Sequence, residues 1–247
     1  MSRTDLFDQL LRTTGESRST FRETALTAFW PMCGHNWKGE LMVVGRAVNG
    51  WTDPWPPAKA ADAVGRSEIV SMTLLASQGD GSGCPMLWVS RLWGARRPYN
   101  TRRSAFWRVI RQAVGALDVC DPALPVWPSS LTWTNLYKLS PAAGGNPSAG
   151  LIRLQQELCL ELLRQEVVDY KPARLLFLTG MDWAQPFLSR MGDLVTRWQG
   201  SGPVQTAGVL RIRELASPVA VVVGQHPQGK GDGRYVEGLR AAWSKVV

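Results

Sequence analysis

The sequence is poor in the side chains that build metal centres. Its 247 residues include two histidines, His35 and His226, and four cysteines, Cys33, Cys84, Cys120 and Cys159. The two histidines exclude a His-rich site. No cysteine pair has the Cys-x-x-Cys spacing of zinc ribbons or iron–sulfur clusters. The cysteines read as isolated intracellular thiols, and neither a metal nor a cofactor is expected. Acidic side chains are scarce too: 20 Asp and Glu stand against 28 Lys and Arg, a net charge of +8. That balance points either to a polyanionic partner, most often nucleic acid, or to a generic basic surface. No apolar run approaches the roughly 18 residues of a membrane span. The opening stretch, Met1 to Glu16, has no signal-peptide core. A soluble, cytoplasmic monomer without a membrane partner is expected.

What is present is ample core material. Hydrophobic residues make up 45% of the chain, which excludes wholesale disorder. The length suits one large α/β domain, or at most two small ones. Helical spacing is read over 4–13 and 18–29, with Ser19 and Thr20 offering the second helix its start. A short apolar run, Glu40 to Gly45, reads as a buried parallel strand. The Pro- and Trp-rich stretch 46–65 reads as a long loop, and such loops are usually functional. Beyond it the expectations are a helix over 66–77, a Gly-rich break at 79–83 and a basic amphipathic helix over 104–117. A strand over 131–135, a loop over 140–148 and a long helix over 149–168 follow. Strand 174–179, helix 181–191, an extra strand at 207–213, strand 219–223 and a last helix over 233–245 complete the reading. Strands alternate with helices, so the expected fold is α/β in three layers, α/β/α, around a mostly parallel four-stranded sheet. A single domain over 1–247 is expected, with N-terminal helices in 1–39 packing on it.

In such sheets, function sits on the loops that leave the carboxyl ends of the strands. Three motifs fall there. The first is Gly45-Arg46-Ala47-Val48-Asn49-Gly50-Trp51. The second is Thr134-Asn135-Leu136-Tyr137-Lys138-Leu139-Ser140-Pro141, and the third is Gly224-Gln225-His226-Pro227-Gln228-Gly229-Lys230-Gly231. A weaker fourth begins at Thr179-Gly180. Gly224 to Lys230 also fits a phosphate loop, but Gly231 stands where a magnesium-binding Ser or Thr belongs.

The order and strand-end placement of these motifs resemble the uracil-DNA glycosylase superfamily, over about residues 40–245. That family has a Gly-containing loop after its first strand, an Asn ending the second, a Gly ending the third and a His-Pro after the fourth. Thr-Asn-Leu-x-Lys-x-x-Pro is similar to the bacterial and archaeal branches with Thr-Asn-x-x-Lys-x-x-Pro-Pro, though their iron–sulfur cysteines are missing here. The resemblance implies an enzyme that flips a nucleotide out of DNA and hydrolyses its N-glycosidic bond, leaving an abasic site. His226 then donates a hydrogen bond to the base oxygen where charge accumulates. Asn135 reads the pyrimidine edge, since its amide offers both a donor and an acceptor.

The departures bear on mechanism. Where the family supplies a water-positioning Asp, then a Pro and an aromatic barrier beside C5 of the pyrimidine, this chain has Ala47, Val48 and Asn49. Either Asn49 or Asp53 is left to orient water. With the barrier gone, a group on C5 fits, and the implied substrate is a bulky C5-modified cytosine of phage DNA, excised in defence. Ala47 and Trp51 are candidate pocket residues, with Trp55 a weaker one. Arg96, Arg97, Arg102 and Arg103 around Tyr99, together with Lys230 and Arg234, are candidate DNA contacts. Arg234 or Tyr235 is expected to plug the gap left by the flipped base. Two alternatives stand beside this reading: a uracil-DNA glycosylase of base excision repair, and a non-catalytic nucleic-acid-binding member. Nucleotide binding at Gly224–Lys230 is a remote third.

Overall fold

Leu41–Gly45 is buried at every position, as a continuous apolar strand in the middle of a sheet must be. A computed structural model describes residues 1–17, 21–79, 81, 83–97 and 99–246. Helix α1 (Arg3–Glu16) comes first, then strands β1 (Leu26–Ala28), β2 (Met32–Cys33) and β3 (Leu41–Gly45). Helices α2 (Ala63–Ser77), α3 (Trp88–Arg91) and α4 (Ala105–Ala116) precede strands β4 (Leu131–Asn135) and β5 (Leu139–Pro141). Helix α5 (Ala149–Tyr170), strand β6 (Arg174–Leu178) and helix α6 (Met181–Met191) follow. The chain closes with β7 (Asp193–Gln199), β8 (Val204–Arg211), β9 (Val219–Gly224) and helix α7 (Asp232–Trp243).

The chain forms two compact units. The first is Met1–Pro31, Gly45–Gln78 and Thr134–Asp169; the second is Met32–Val44, Gly79–Trp133 and Tyr170–Val247. In the first, Leu6, Phe7, Leu10 and Leu11 bury one face of α1. That helix packs on α2 and on a 3₁₀ turn at Pro57–Ala61. Arg66 holds the corner, with Nε 2.9 Å from Asp8 Oδ1 and Nη1 bonding the carbonyls of Ala60 and Ala61. β1 pairs antiparallel with β5, and Leu26 also exchanges both backbone hydrogen bonds with Trp55.

The expected helix over 18–29 is therefore wrong. Ser19 and Thr20, its proposed start, lie outside the described residues, as do Asp80 and Ser82 of the Gly-rich break. Residues 26–28 are strand instead. The Thr27 hydroxyl accepts the backbone N–H groups of Trp51 and Thr52, and Thr52 Oγ1 accepts from Ala28 N. Long-range pairing overrides a local helical pattern here.

The second unit is built on a sheet of order β2-β4-β3-β6-β9-β8-β7. β6 runs parallel to both β3 and β9, while β2, β8 and β7 pair antiparallel with their neighbours. The sheet thus has seven strands, not the expected four. β8 is the expected extra strand near 207–213. β7 was not expected, because most of its positions are exposed and give no apolar signal. Both faces of β9 are buried. α4 and α7 pack together, α7 also lies on β8 and β9, and α6 lies on β7, β8 and β9. Trp107 and Trp243 are core residues, as their helical positions imply. Among the described residues, no helix is long and apolar enough to cross a membrane.

Candidate functional site

The second motif lies in the first unit, where β4 ends. Asn135 is only 2% exposed, and its Nδ2 has no hydrogen-bond partner among the described residues. Buried polar groups are nearly always bonded, so this donor calls for a partner from outside the chain, a water or a ligand. The backbone around it is fixed. Lys138 Nζ donates to Asn135 O at 2.8 Å, to Thr134 Oγ1 at 2.8 Å and to Glu166 Oε2 at 3.0 Å. Thr134 Oγ1 donates in turn to Glu166 Oε2 at 2.7 Å. Nζ also lies 2.8 Å from Glu166 Oε1, and both side chains are 1% exposed. Charges taken this far from water persist only when paired and bonded; removing one partner of such a pair costs about 3–5 kcal/mol. On the other side of Lys138, its backbone N–H donates to Cys159 Sγ at 3.4 Å, and Gln155 makes two hydrogen bonds with the backbone of Leu139. Burial pushes the Cys159 thiol up to about 12. Burial, followed by Cys159, raises the Tyr137 hydroxyl to about 12.

The first motif belongs to the same unit and is pinned along its length. Leu136 N donates to Gly45 O at 2.8 Å and Tyr137 N to Arg46 O at 3.0 Å. The end of β4 is thereby joined to the start of this loop, which brings Asn135 and Ala47 into one neighbourhood. Ser140 Oγ donates to Val48 O at 2.8 Å. Asn49 is exposed, and its Oδ1 accepts from Gly145 N at 2.9 Å, tying the loop to the 140–148 segment. Gly50 takes a φ of +68°, which favours glycine. Ala47 and Trp51 are half-buried, and the Trp51 ring stands edge-on to Phe29 at 5.9 Å. Asp53 is exposed. Trp55, a weaker candidate for a pocket wall, is instead a core residue at 2% exposure, because its backbone bridges to Leu26.

The third motif lies in the second unit. His226 is half-buried between β9 and α7, and its ring stacks on Phe106 with centroids 6.4 Å apart and planes at 20°. Phe106 opens a chain of ring contacts through Trp107 and Trp133 to Trp88. Gln228 N lies 3.3 Å from His226 Nδ1. A backbone N–H can only donate, so Nδ1 accepts and the neutral ring carries its proton on Nε2. Nε2–H is then the hydrogen-bond donor.

The same unit carries exposed basic side chains. Arg96, Arg97, Arg102 and Arg103 are exposed, and Tyr99 is 47% exposed among them. Lys230 and Arg234 are exposed as well. Arg108, on α4, links the two groups. Its guanidinium pairs with Asp232 at the first turn of α7 and donates to the carbonyls of Arg102 and Arg103. The hydrogen bond to Asp232 raises the Arg108 pKa further above its ordinary value. Tyr235 cannot plug a DNA gap as expected. It is fully buried, its hydroxyl donates to Gln225 O beneath Gly224, and burial pushes its pKa well up.

Three contributors were not read from sequence: Glu166, the clamp formed by Lys138, and the Phe106 stack. Glu166 did carry a signal. It continues the buried stripe Gln155, Cys159, Leu162, Leu163 on α5, and a carboxylate in such a stripe requires a buried cation. Among the described residues, no three His, Cys, Asp or Glu side chains gather as metal ligands would. No protein-family model and no curated protein sequence matches the chain.

Proposed function

We propose that this protein is a monofunctional DNA glycosylase with the motif arrangement of the uracil-DNA glycosylase superfamily, acting on a pyrimidine that carries a group on C5. The observation that carries the reading is the buried Asn135 amide, without a partner among the described residues and anchored at a strand end. In this mechanism the flipped base presents an acceptor to Asn135 Nδ2. A pyrimidine offers one there, either O4 of a uracil ring or N3 of a cytosine ring. The bond between C1′ and the base nitrogen breaks, and its electron pair leaves with the base. His226 Nε2–H donates to the base oxygen on which that charge collects, and the tautomer fixed by Gln228 N supports this role. Water adds to the cationic sugar at C1′ and passes its proton to Asp53 or to solvent. Asn49 can only orient that water, because a neutral amide is no base, and its Oδ1 already accepts from Gly145 N. Arg96, Arg97, Arg102, Arg103, Lys230 and Arg234 hold phosphates in this reading.

The C5 group follows from the small Asn49-Gly50 pair, where the family places a ring. A bulky modified cytosine, as in phage DNA, is the substrate proposed. The test is a panel of oligonucleotides carrying uracil, mismatched thymine, and hydroxymethylated and glucosylated cytosine, treated with alkali after incubation. Cleavage at the modified cytosines is the expected result. Cleavage at uracil alone makes this a repair enzyme and ends the C5 proposal.

One observation favours a second reading, a nucleic-acid-binding protein without hydrolysis. The loop from Arg46 to Thr52 has no carboxylate, and its one amide acceptor is already bonded. Tight DNA binding with no alkali-labile site on any base of the panel would establish it.

A further inference from the structure

The buried Lys138–Glu166 pair has no role in the chemistry above, and it lies where no ordinary structural need explains it. An apolar pair of the same volume would fill the space between β4 and α5 at no electrostatic cost. Yet the ammonium directs its three protons to Asn135 O, Thr134 Oγ1 and Glu166 Oε2. Two of those acceptors belong to the last two residues of β4. The third, Glu166, takes a second hydrogen bond from Thr134. Three of these four hydrogen bonds therefore act on the residue that bears the orphan amide or on its neighbour, and the fourth joins the two charges. The next two residues, Leu136 and Tyr137, bond the 45–46 turn through their backbone N–H groups. Without the ammonium, the Asn135 carbonyl would lose its hydrogen bond from Lys138 Nζ.

We propose that Lys138 is a positioning residue: its ammonium, held by Glu166 and Thr134, fixes the Asn135 backbone so that the unpartnered side-chain amide is preset to meet a pyrimidine edge. The inference rests on the glycosylase reading for its consequence, and on the hydrogen-bond geometry for its cause. Preset donors matter because the cost of aligning them is met during folding, not during reaction. A misplacement of about 1 Å is worth about 10²-fold in rate. Affinity for the duplex depends mainly on phosphate contacts and is insensitive to this network.

Lys138→Met alone leaves Glu166 buried and unpaired, so the paired variant Lys138→Met/Glu166→Leu carries the test, with Glu166→Gln as the milder change. Two measurements are made on each. The first is the position and width of the Asn135 side-chain amide signals in the ¹⁵N–¹H spectrum of the full chain. The second is single-turnover excision alongside duplex affinity. In the paired variant the amide signals are expected to shift and broaden while the rest of the spectrum stays folded. Excision is expected to fall about 10²-fold with affinity unchanged. Glu166→Gln, which keeps an acceptor for both partners, should lie between the paired variant and wild type. If the paired variant unfolds, Glu166→Gln alone decides by the same two signals. Wild-type amide signals together with wild-type excision in the folded variants overturn the proposal. If wild type excises no base of the panel, the glycosylase reading fails, and the amide signals still decide whether Lys138 positions Asn135.

Discussion

Arg108 Nε lies 2.6 Å from Asp232 Oδ2, and Nη2 of the same guanidinium lies 3.3 Å from Oδ1, across 124 residues of chain. The fork geometry joins the start of α7 to α4, and Nη1 carries the link on to the carbonyls of Arg102 and Arg103. Both side chains remain about a quarter to a third exposed, at 33% and 23%, so water screens the pair. A double-mutant cycle of Arg108→Ala and Asp232→Asn in urea unfolding should give a coupling of about 1 kcal/mol. Additive single effects would mean that the two groups act independently.

The arginines that Arg108 steadies should set the salt dependence of DNA binding. Removing one phosphate-binding side chain lowers the slope of log K against log salt by about 0.9 on duplex DNA. Arg102→Ala and Arg103→Ala are therefore each expected to flatten that slope by about this amount, equally for every sequence tested. Asp53→Asn should leave it unchanged. Fluorescence anisotropy titrations between low and moderate salt measure both. An unaltered slope in the two Arg variants would show that neither side chain holds a phosphate.

Much of the central sheet could be read from the chain because its strands are short apolar runs, and Leu41–Gly45 and Val219–Gly224 are buried throughout. Helices α4 and α5 announced themselves by spacing. β1 did not, because Thr27 is strand only by virtue of Thr52 and the pairing with β5. β7 did not, because a strand held by β8 and exposed on most positions carries no apolar alternation. The site divides the same way. Thr134, Asn135 and His226 were visible as strand-end residues. Their partners were not, since Glu166 lies 28 residues beyond Lys138 and Phe106 lies on another helix. Contacts between distant elements leave no periodic trace in a sequence, except where a charge interrupts an apolar stripe.

Cys159 should be the least reactive thiol of the protein. Burial raises its pKa to about 12, outweighing the opposing effect of Lys138. At pH 8 only about 10⁻⁴ of it is thiolate, and the thiolate is the reacting form. A raised thiol pKa means that the unfolded state loses its proton first. Its stabilising contribution is complete below about pH 9 and is lost as the pH climbs towards 12. Iodoacetamide labelling at pH 8 with mass-spectrometric readout should leave Cys159 unmodified in the native protein and label it in denaturant. Half-buried Cys33 should react before it. Native labelling of Cys159 at the rate of Cys33 would show that α5 opens readily.

Gly224 closes β9 one residue before the loop that carries His226, and no side chain can be added there without moving Tyr235. A Cβ at this position would lie 2.1 Å from the Tyr235 hydroxyl oxygen and 2.9 Å from Cζ. The ring cannot swing aside, because Tyr235 is fully buried and its hydroxyl bonds Gln225 O. Gly224→Ala is therefore expected to destabilise the protein by about 1–3 kcal/mol through overpacking. It should also cost function beyond that destabilisation, since the displaced hydroxyl no longer holds the backbone that leads into His226. Replacing the obstacle relieves the clash: a Tyr235→Phe background has no hydroxyl oxygen to meet the new Cβ, and Gly224→Ala should then cost less than it does in wild type. Thermal melts of the four proteins measure the difference. An equal cost in both backgrounds would show that Tyr235 is not what makes glycine necessary at the end of β9.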